Sequence, residues 1–180
     1  MARLIAKTPA EGMLPREIGT CRLEERLYEA ITWVAPFDGQ SEAVGKSIGL
    51  GFPEPGQVTG EGNHLALWAG PGQAFVLGPP VAPAGAAVAD QSSALTVLTL
   101  TGEDARAVLA RLTPLDLRDT AFPEASTART MLGHMTASVT RIGSDTYEIM
   151  VFRSMTHTAV HEITRAMKGV TARAALRGTA

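Results

Sequence analysis

Residues 65–89 contain no charged side chain, a stretch as long as one membrane-spanning helix. Gly70, Pro71, Gly72, Gly78, Pro79, Pro80, Pro83 and Gly85 interrupt it throughout. A proline inside a helix removes a backbone hydrogen bond and clashes with the preceding turn, so this stretch cannot be one continuous helix. It reads instead as two short buried strands, 64–69 and 74–77, turning at Gly70-Pro71-Gly72 and followed by a loop. The whole chain has 180 residues, enough for one well-buried unit or two small halves sharing a core. A single compact unit over 1–180 is therefore expected.

Charge narrows the function classes. Sixteen Lys and Arg against eighteen Asp and Glu leave a net charge of −2, without the basic excess that nucleic acid or an anionic membrane surface would call for. Cys21 is the single cysteine, so no internal disulfide and no cysteine-based zinc cluster is available, and a cytoplasmic setting fits. Arg3 and Lys7 bracket a run too short for the apolar core of a secretory signal, so export is not expected.

Periodicity then orders the chain. Residues 1–20 mix Pro9, Gly12, Pro15 and Gly19 with charges and read as an irregular lead-in laid over another surface. Ile31, Thr32, Trp33 and Val34 favour a strand over 27–37, although Leu23, Leu27 and Ile31 also stand at helical spacing. Residues 38–50 read as a short helix with Val44 and Ile48 inward, ended by Gly49, Gly51 and the Pro53-Glu54-Pro55-Gly56 turn. After a linker at 79–90, residues 94–100 carry Leu95 and Val97 on one face and Leu98 and Leu100 on the other, as a strand covered on both sides does. Thr101 and Asp104 form a capping signature before a helix over 102–112, with Ala105, Val108, Leu109 and Leu112 on one face. Residues 131–142 and 146–152 read as a hairpin about Gly143-Ser144-Asp145, and Ser154 caps a last helix reaching about 168. Half-units at about 21–80 and 90–170 thus share the order strand, helix, strand, tight turn, strand. The fold class is α+β: two similar half-units of antiparallel sheet, each with helices on one face.

No constellation with catalytic spacing emerges. Gly45-Lys46-Ser47 lacks the P-loop glycine five positions earlier, where Gln40 stands. His157 and His161 are a helical turn apart beside Glu162, but no third ligand is evident, and the face continues into Arg165 and Lys168 as a solvated basic surface. His134 reads as a half-buried strand residue, while Asp116, Asp119 and Glu124 read as solvated loop groups. Trp68, Phe75, Met131, Met135, Met150 and Met155 read as core. No catalytic, cofactor-binding or metal residue is assigned.

Two stretches carry a resemblance. Ala66-Leu67-Trp68-Ala69-Gly70-Pro71 with Phe75-Val76-Leu77-Gly78, and the run from Leu98 through Gly102 and Asp104 to Leu117, are similar to the gamma subunit of heterotetrameric sarcosine oxidase. The similarity continues through Ala121-Phe122-Pro123, the run from Ala128 to Met135, Tyr147-Glu148-Ile149-Met150-Val151 and Arg153-Ser154 into the closing helix. It implies a fold like the folate-binding domain of the aminomethyltransferases. It also implies an accessory, non-catalytic place in a complex that oxidatively demethylates sarcosine to glycine and passes the one-carbon unit to tetrahydrofolate. The expected partners are the alpha, beta and delta subunits, chiefly alpha. FAD, FMN, NAD, tetrahydrofolate and zinc are then expected in those subunits and none in this chain.

Two departures qualify what the resemblance implies. Where the aminomethyltransferases carry a folate-facing aspartate, Gly133-His134-Met135-Thr136-Ala137-Ser138 has no carboxylate, so independent aminomethyl transfer is not expected. Gly72-Gln73-Ala74 replaces the acidic and tryptophan-bearing segment usual in the gamma family, which leaves open a sister complex such as N-methylglutamate dehydrogenase. A stand-alone folate-binding transferase and a generic α+β binding module are the remaining alternatives. The faces bearing His157, His161 and Arg165, and residues 122–129, are the expected partner surfaces.

Overall fold

The computed structural model describes residues 7–178. Eleven strands and three helices occur among them, in the order β1 (Arg16–Ile18), β2 (Cys21–Arg26), β3 (Ala30–Pro36), α1 (Ser41–Ser47), β4 (Val58–Glu61), β5 (His64–Gly70), β6 (Gln73–Gly78), β7 (Ala86–Asp90), β8 (Leu95–Thr101), α2 (Ala105–Leu109), β9 (Ser126–Leu132), β10 (Met135–Gly143), β11 (Thr146–Phe152) and α3 (Thr156–Gly178). All strand pairs are antiparallel. One sheet runs β1-β2-β8-β11-β10-β9 and the other β4-β5-β6-β3-β7, which bears out the α+β reading.

The two sheets are topological copies that exchange a strand. In the first, β8, β11, β10 and β9 come from the second half of the chain, while β2 is added from the first. In the second, β3, β6, β5 and β4 come from the first half, while β7 is added from the second. Each half therefore begins with a strand in the other half's sheet and crosses over before its own helix. The linker at 79–90 accordingly contains a strand. The strand expected at 27–37 is β3, shortened to Ala30–Pro36; β2 before it is unexpected, and Leu27 is exposed at the crossing between them.

Four layers result. Leu98, Leu100, Tyr147, Ile149 and Val139 point from the six-stranded sheet onto α2 and α3, whose Val108, Leu109, Ile163 and Met167 close that core. The lead-in covers part of it, with Ala10 fully buried and Met13 and Leu14 packed against it, and its β1 extends the sheet edge. Val34, Ala66 and Val76 point from the five-stranded sheet onto Val44 and Ile48 of α1. Between the sheets lie Ile31, Leu65, Leu67, Phe75 and Leu77 from one side and Val97 and Met150 from the other. Strand β8 is thus buried on both faces, with its apolar residues divided as the sequence predicts.

Local chemistry decides several ends. Asp104 precedes α2 without a side-chain cap from Thr101; Thr20 takes that role instead. Its hydroxyl donates to Asp104 Oδ2 at 2.8 Å and accepts the Asp104 N–H at 3.2 Å. The strand expected over 131–142 breaks at Gly133-His134, a two-residue turn with Gly133 at φ +60°, and His134 is exposed in it rather than half-buried in a strand. A 3-10 turn at Arg153–Met155 precedes α3, where the Thr156 hydroxyl donates to the Arg153 carbonyl, and Ser154 makes no capping bond. That helix runs ten residues past the expected end at 168 through an Ala- and Arg-rich segment of high helix propensity.

Candidate functional site

The inner face of the six-stranded sheet is unusually polar. Register places Glu24, Thr99, Glu148, Thr140 and Thr127 in one row across five strands. Thr99, Glu148, Thr140 and Thr127 are buried there opposite the apolar side chains of the other sheet. The Thr127 and Thr140 hydroxyls satisfy each other at 2.8 Å.

Glu148 is the group that calls for explanation, because a carboxylate 2% exposed between two sheets must be paired or neutralised. Tyr28, in the β2–β3 crossing, donates its hydroxyl to both carboxylate oxygens at 2.8 and 2.9 Å. The Arg26 Nε lies 3.1 Å from Oε1, and its guanidinium also stacks 5.1 Å from the Tyr28 ring. A further Arg26 nitrogen donates to the Gly62 carbonyl at 3.0 Å and to Asn63 Oδ1 at 2.6 Å, in the turn between β4 and β5. The cluster therefore ties the crossing and both sheets together. Burial pushes the Glu148 carboxyl up against the opposing pull of Tyr28 and Arg26, and burial beside that carboxylate pushes the Tyr28 phenol up.

Perturbed, buried groups of this kind also occur in active sites. Here the carboxylate already accepts Tyr28 and Arg26, and Glu148 lines none of the principal cavities. A general acid or base must reach its proton within hydrogen-bond distance, and Glu148 has no open side from which a substrate could approach. The structural reading is the stronger one. Sequence reasoning missed the cluster, since Tyr28 and Glu148 stand 120 residues apart and no local spacing announces their contact.

The other chemistry-bearing residues disperse. Gly45-Lys46-Ser47 forms the last turn of α1, with Lys46 bound to Glu42 at 2.5 Å. Gly45 is required by packing: a Cβ there would lie 2.6 Å from the Phe52 nitrogen. His157 and His161 are exposed on α3, as are Arg165 and Lys168, while Val160, Ile163 and Met167 form the buried stripe. Among the described residues no three His, Cys, Asp or Glu side chains gather where they could hold a metal ion. Asp119 is a structural partner rather than a free loop carboxylate. It accepts the buried Arg141 at 2.7 Å and Arg106 at 3.2 Å, and the hydrogen bond from Arg141 chiefly holds its carboxyl below the usual range.

Core expectations hold for Phe75, Met135 and Met150 and fail for Met131 and Met155, which are exposed, and for Trp68, which is half-buried. Trp68 lines an open trough of about 900 Å³ with one side of α1, from Ser41 and Glu42 to Gly45 and Lys46, and with Phe52, Pro53 and Pro71. Phe122 is buried, its carbonyl accepting Arg141, so residues 122–129 do not form one continuous surface. Between the sheets a recess of only about 140 Å³ opens under Phe75 and Arg129. That is below the roughly 300–1,000 Å³ of ordinary small-molecule sites. The recess is too small for a flavin or a folate.

Comparison with known proteins agrees with this architecture. A curated relative, sarcosine oxidase subunit gamma of Corynebacterium sp. (strain P-1), is 29% identical over 181 residues, spanning 92% of this chain and 88% of the relative. A chain of the solved heterotetrameric sarcosine oxidase from Corynebacterium sp. U-96, in complex with pyrrole 2-carboxylate, superposes with a TM-score of 0.81 at 23% identity, covering 92% of this chain and 96% of that one, and it shows the fold. The family model described as sarcosine oxidase, gamma subunit family matches residues 77–161, from the end of β6 through the second half's strands into α3. This segment contains β8, α2 and the β9–β11 meander, and the near-full-length relative extends the chain's similarity to sarcosine oxidase gamma subunits beyond it.

Proposed function

We propose that the chain is the accessory gamma-type subunit of a heterotetrameric sarcosine oxidase and contributes contact area rather than reacting groups. The observation that carries this reading is the 29% identity to a sarcosine oxidase gamma subunit over 92% of the chain. The complex oxidatively demethylates sarcosine to glycine, passing the one-carbon unit to tetrahydrofolate and electrons to oxygen. The alpha, beta and delta subunits are the partners, chiefly alpha, and they hold FAD, FMN, NAD, tetrahydrofolate and zinc. The buried, fully engaged Glu148 and the dispersed histidines support an absence of chemistry in this chain. Both named relatives come from sarcosine oxidase, which favours sarcosine over another N-methyl amino acid. We place the complex in the cytoplasm; no helix among the described residues is long and apolar enough to cross a membrane.

Native mass spectrometry of the tagged chain purified from its own host tests the reading. The expected result is a yellow assembly with three further subunits. A colourless lone chain would overturn it, and tight folate binding by that lone chain would establish the transferase alternative.

A further inference from the structure

Past the point where the five-stranded sheet covers it, the six-stranded sheet ends in a bare strip. Val97, Met150, Ser138 and Arg129 form one row of its inner face, and Phe75 seals Val97 and Met150. In the next row outward Leu95 stands opposite Phe152 and Thr136 opposite Met131. Phe152 is 50% exposed, Met131 40%, and Met155 in the following 3-10 turn 40%. Scattered exposed apolar residues are ordinary, but here register and sequence put three on one end of one sheet.

Two hollows meet at Phe152. One is the recess beneath Phe75, where the Arg129 guanidinium sits 5.7 Å above the Phe75 ring. The other is an open concavity of about 820 Å³ walled by Pro9, Ala94, Arg153, Ser154 and His157. No carboxylate lines either hollow. Among the described residues Arg129 is committed only to that ring, and Arg153 donates to the Lys7 carbonyl rather than to an acid.

We propose that this end of the sheet is a docking surface for a segment of another subunit, one that presents an apolar side chain flanked by carboxylates. The apolar side chain covers Phe152 and Met131, and the carboxylates meet Arg129 and Arg153. Exposed aromatic and arginine groups around a concavity are the usual anchors of protein interfaces. Charge selects the occupant. A second copy docking symmetrically would bring the same arginines toward each other. The six residues before Lys7 offer Arg3 and no acid. The inference rests on the accessory-subunit reading above and locates its contact.

The test uses the complete complex, co-expressed with a tag on another subunit. The wild-type chain and Phe37→Asp, a 59% exposed aromatic at the end of β3, are expected to co-purify in full. Phe152→Asp and Met131→Asp are each expected to lower the retained chain by roughly tenfold or more, as loss of one interface anchor does. The Arg129→Glu/Arg153→Glu pair is expected to do the same, and added salt to weaken wild-type retention while leaving the double variant little changed. Unaltered thermal midpoints of the free variants separate lost docking from lost folding. Full retention of both aspartate variants would overturn the surface, as would a homodimer of the chain that Phe152→Asp dissolves. Failure of the wild-type chain to co-purify would instead overturn the accessory reading itself.

Discussion

Gly102→Ala is expected to destabilise the chain by about 3–5 kcal/mol, a large part of a typical domain's stability of roughly 5–15 kcal/mol. Gly102 follows β8 at φ +121°, a conformation that costs an alanine about 1–3 kcal/mol before any contact is considered. The contact is the larger problem: a Cβ there would lie 1.9 Å from the Thr20 carbonyl oxygen and 2.8 Å from its carbon. These are backbone atoms, so no rotamer change relieves the overlap. Moving Thr20 aside would break both of its hydrogen bonds to Asp104 and displace Cys21, where β2 enters the sheet beside β8. Gly133→Ala is the matched control. It also has positive φ, +60°, but its Cβ would meet nothing within 4 Å, so only about 1–2 kcal/mol is expected. Urea unfolding of the two variants measures the difference. Equal midpoints would show that the close approach of Gly102 to Thr20 does not hold in solution.

Gly102 also illustrates what a one-dimensional reading can reach. The helix after it is legible because Ala105, Val108 and Leu109 repeat at helical spacing, yet the partner that caps Asp104 lies 84 residues earlier. Strand β8 is read correctly because burial on both faces leaves an apolar run with no polar interruption. Strand β2 is not, since Glu25 stands on the same face as Cys21 and Leu23 and breaks their alternation with Arg22 and Glu24 after four residues. Strand β7, Ala-Ala-Val-Ala-Asp, has almost no side-chain pattern and exists because β3 offers it a free edge. His134 is misplaced for a related reason. The β-forming residues on either side conceal a two-residue turn that only the positive φ of Gly133 reveals. The family resemblance was legible in the residues themselves, while the exchange of first strands between the halves needed the pairing.

The Arg26–Glu148–Tyr28 cluster gives the second large effect, with a pH dependence that identifies its cause. Arg26→Met is expected to cost about 2–4 kcal/mol near neutral pH. Removing one member of a buried ion pair leaves the other charge uncompensated, and Arg26 is itself 30% exposed, which places the cost toward the lower end of that class. The Glu148 carboxyl is already raised by burial, and loss of the guanidinium raises it further. A carboxyl whose folded-state value lies above its unfolded one favours folding while both states are protonated, and that advantage is lost as pH rises through the folded value. The deficit of Arg26→Met against wild type should therefore shrink as pH falls toward the ordinary carboxylate range and widen toward pH 8. Glu148→Gln keeps an oxygen for the Tyr28 hydroxyl and removes the titrating group, so the deficit of Arg26→Met/Glu148→Gln against Glu148→Gln alone should not depend on pH. Thermal midpoints of wild type, both single variants and the double variant between pH 5 and 8 decide the matter. A deficit that does not change with pH would mean that Arg26 acts through its bonds to Gly62 and Asn63, and that Glu148 is held neutral without it.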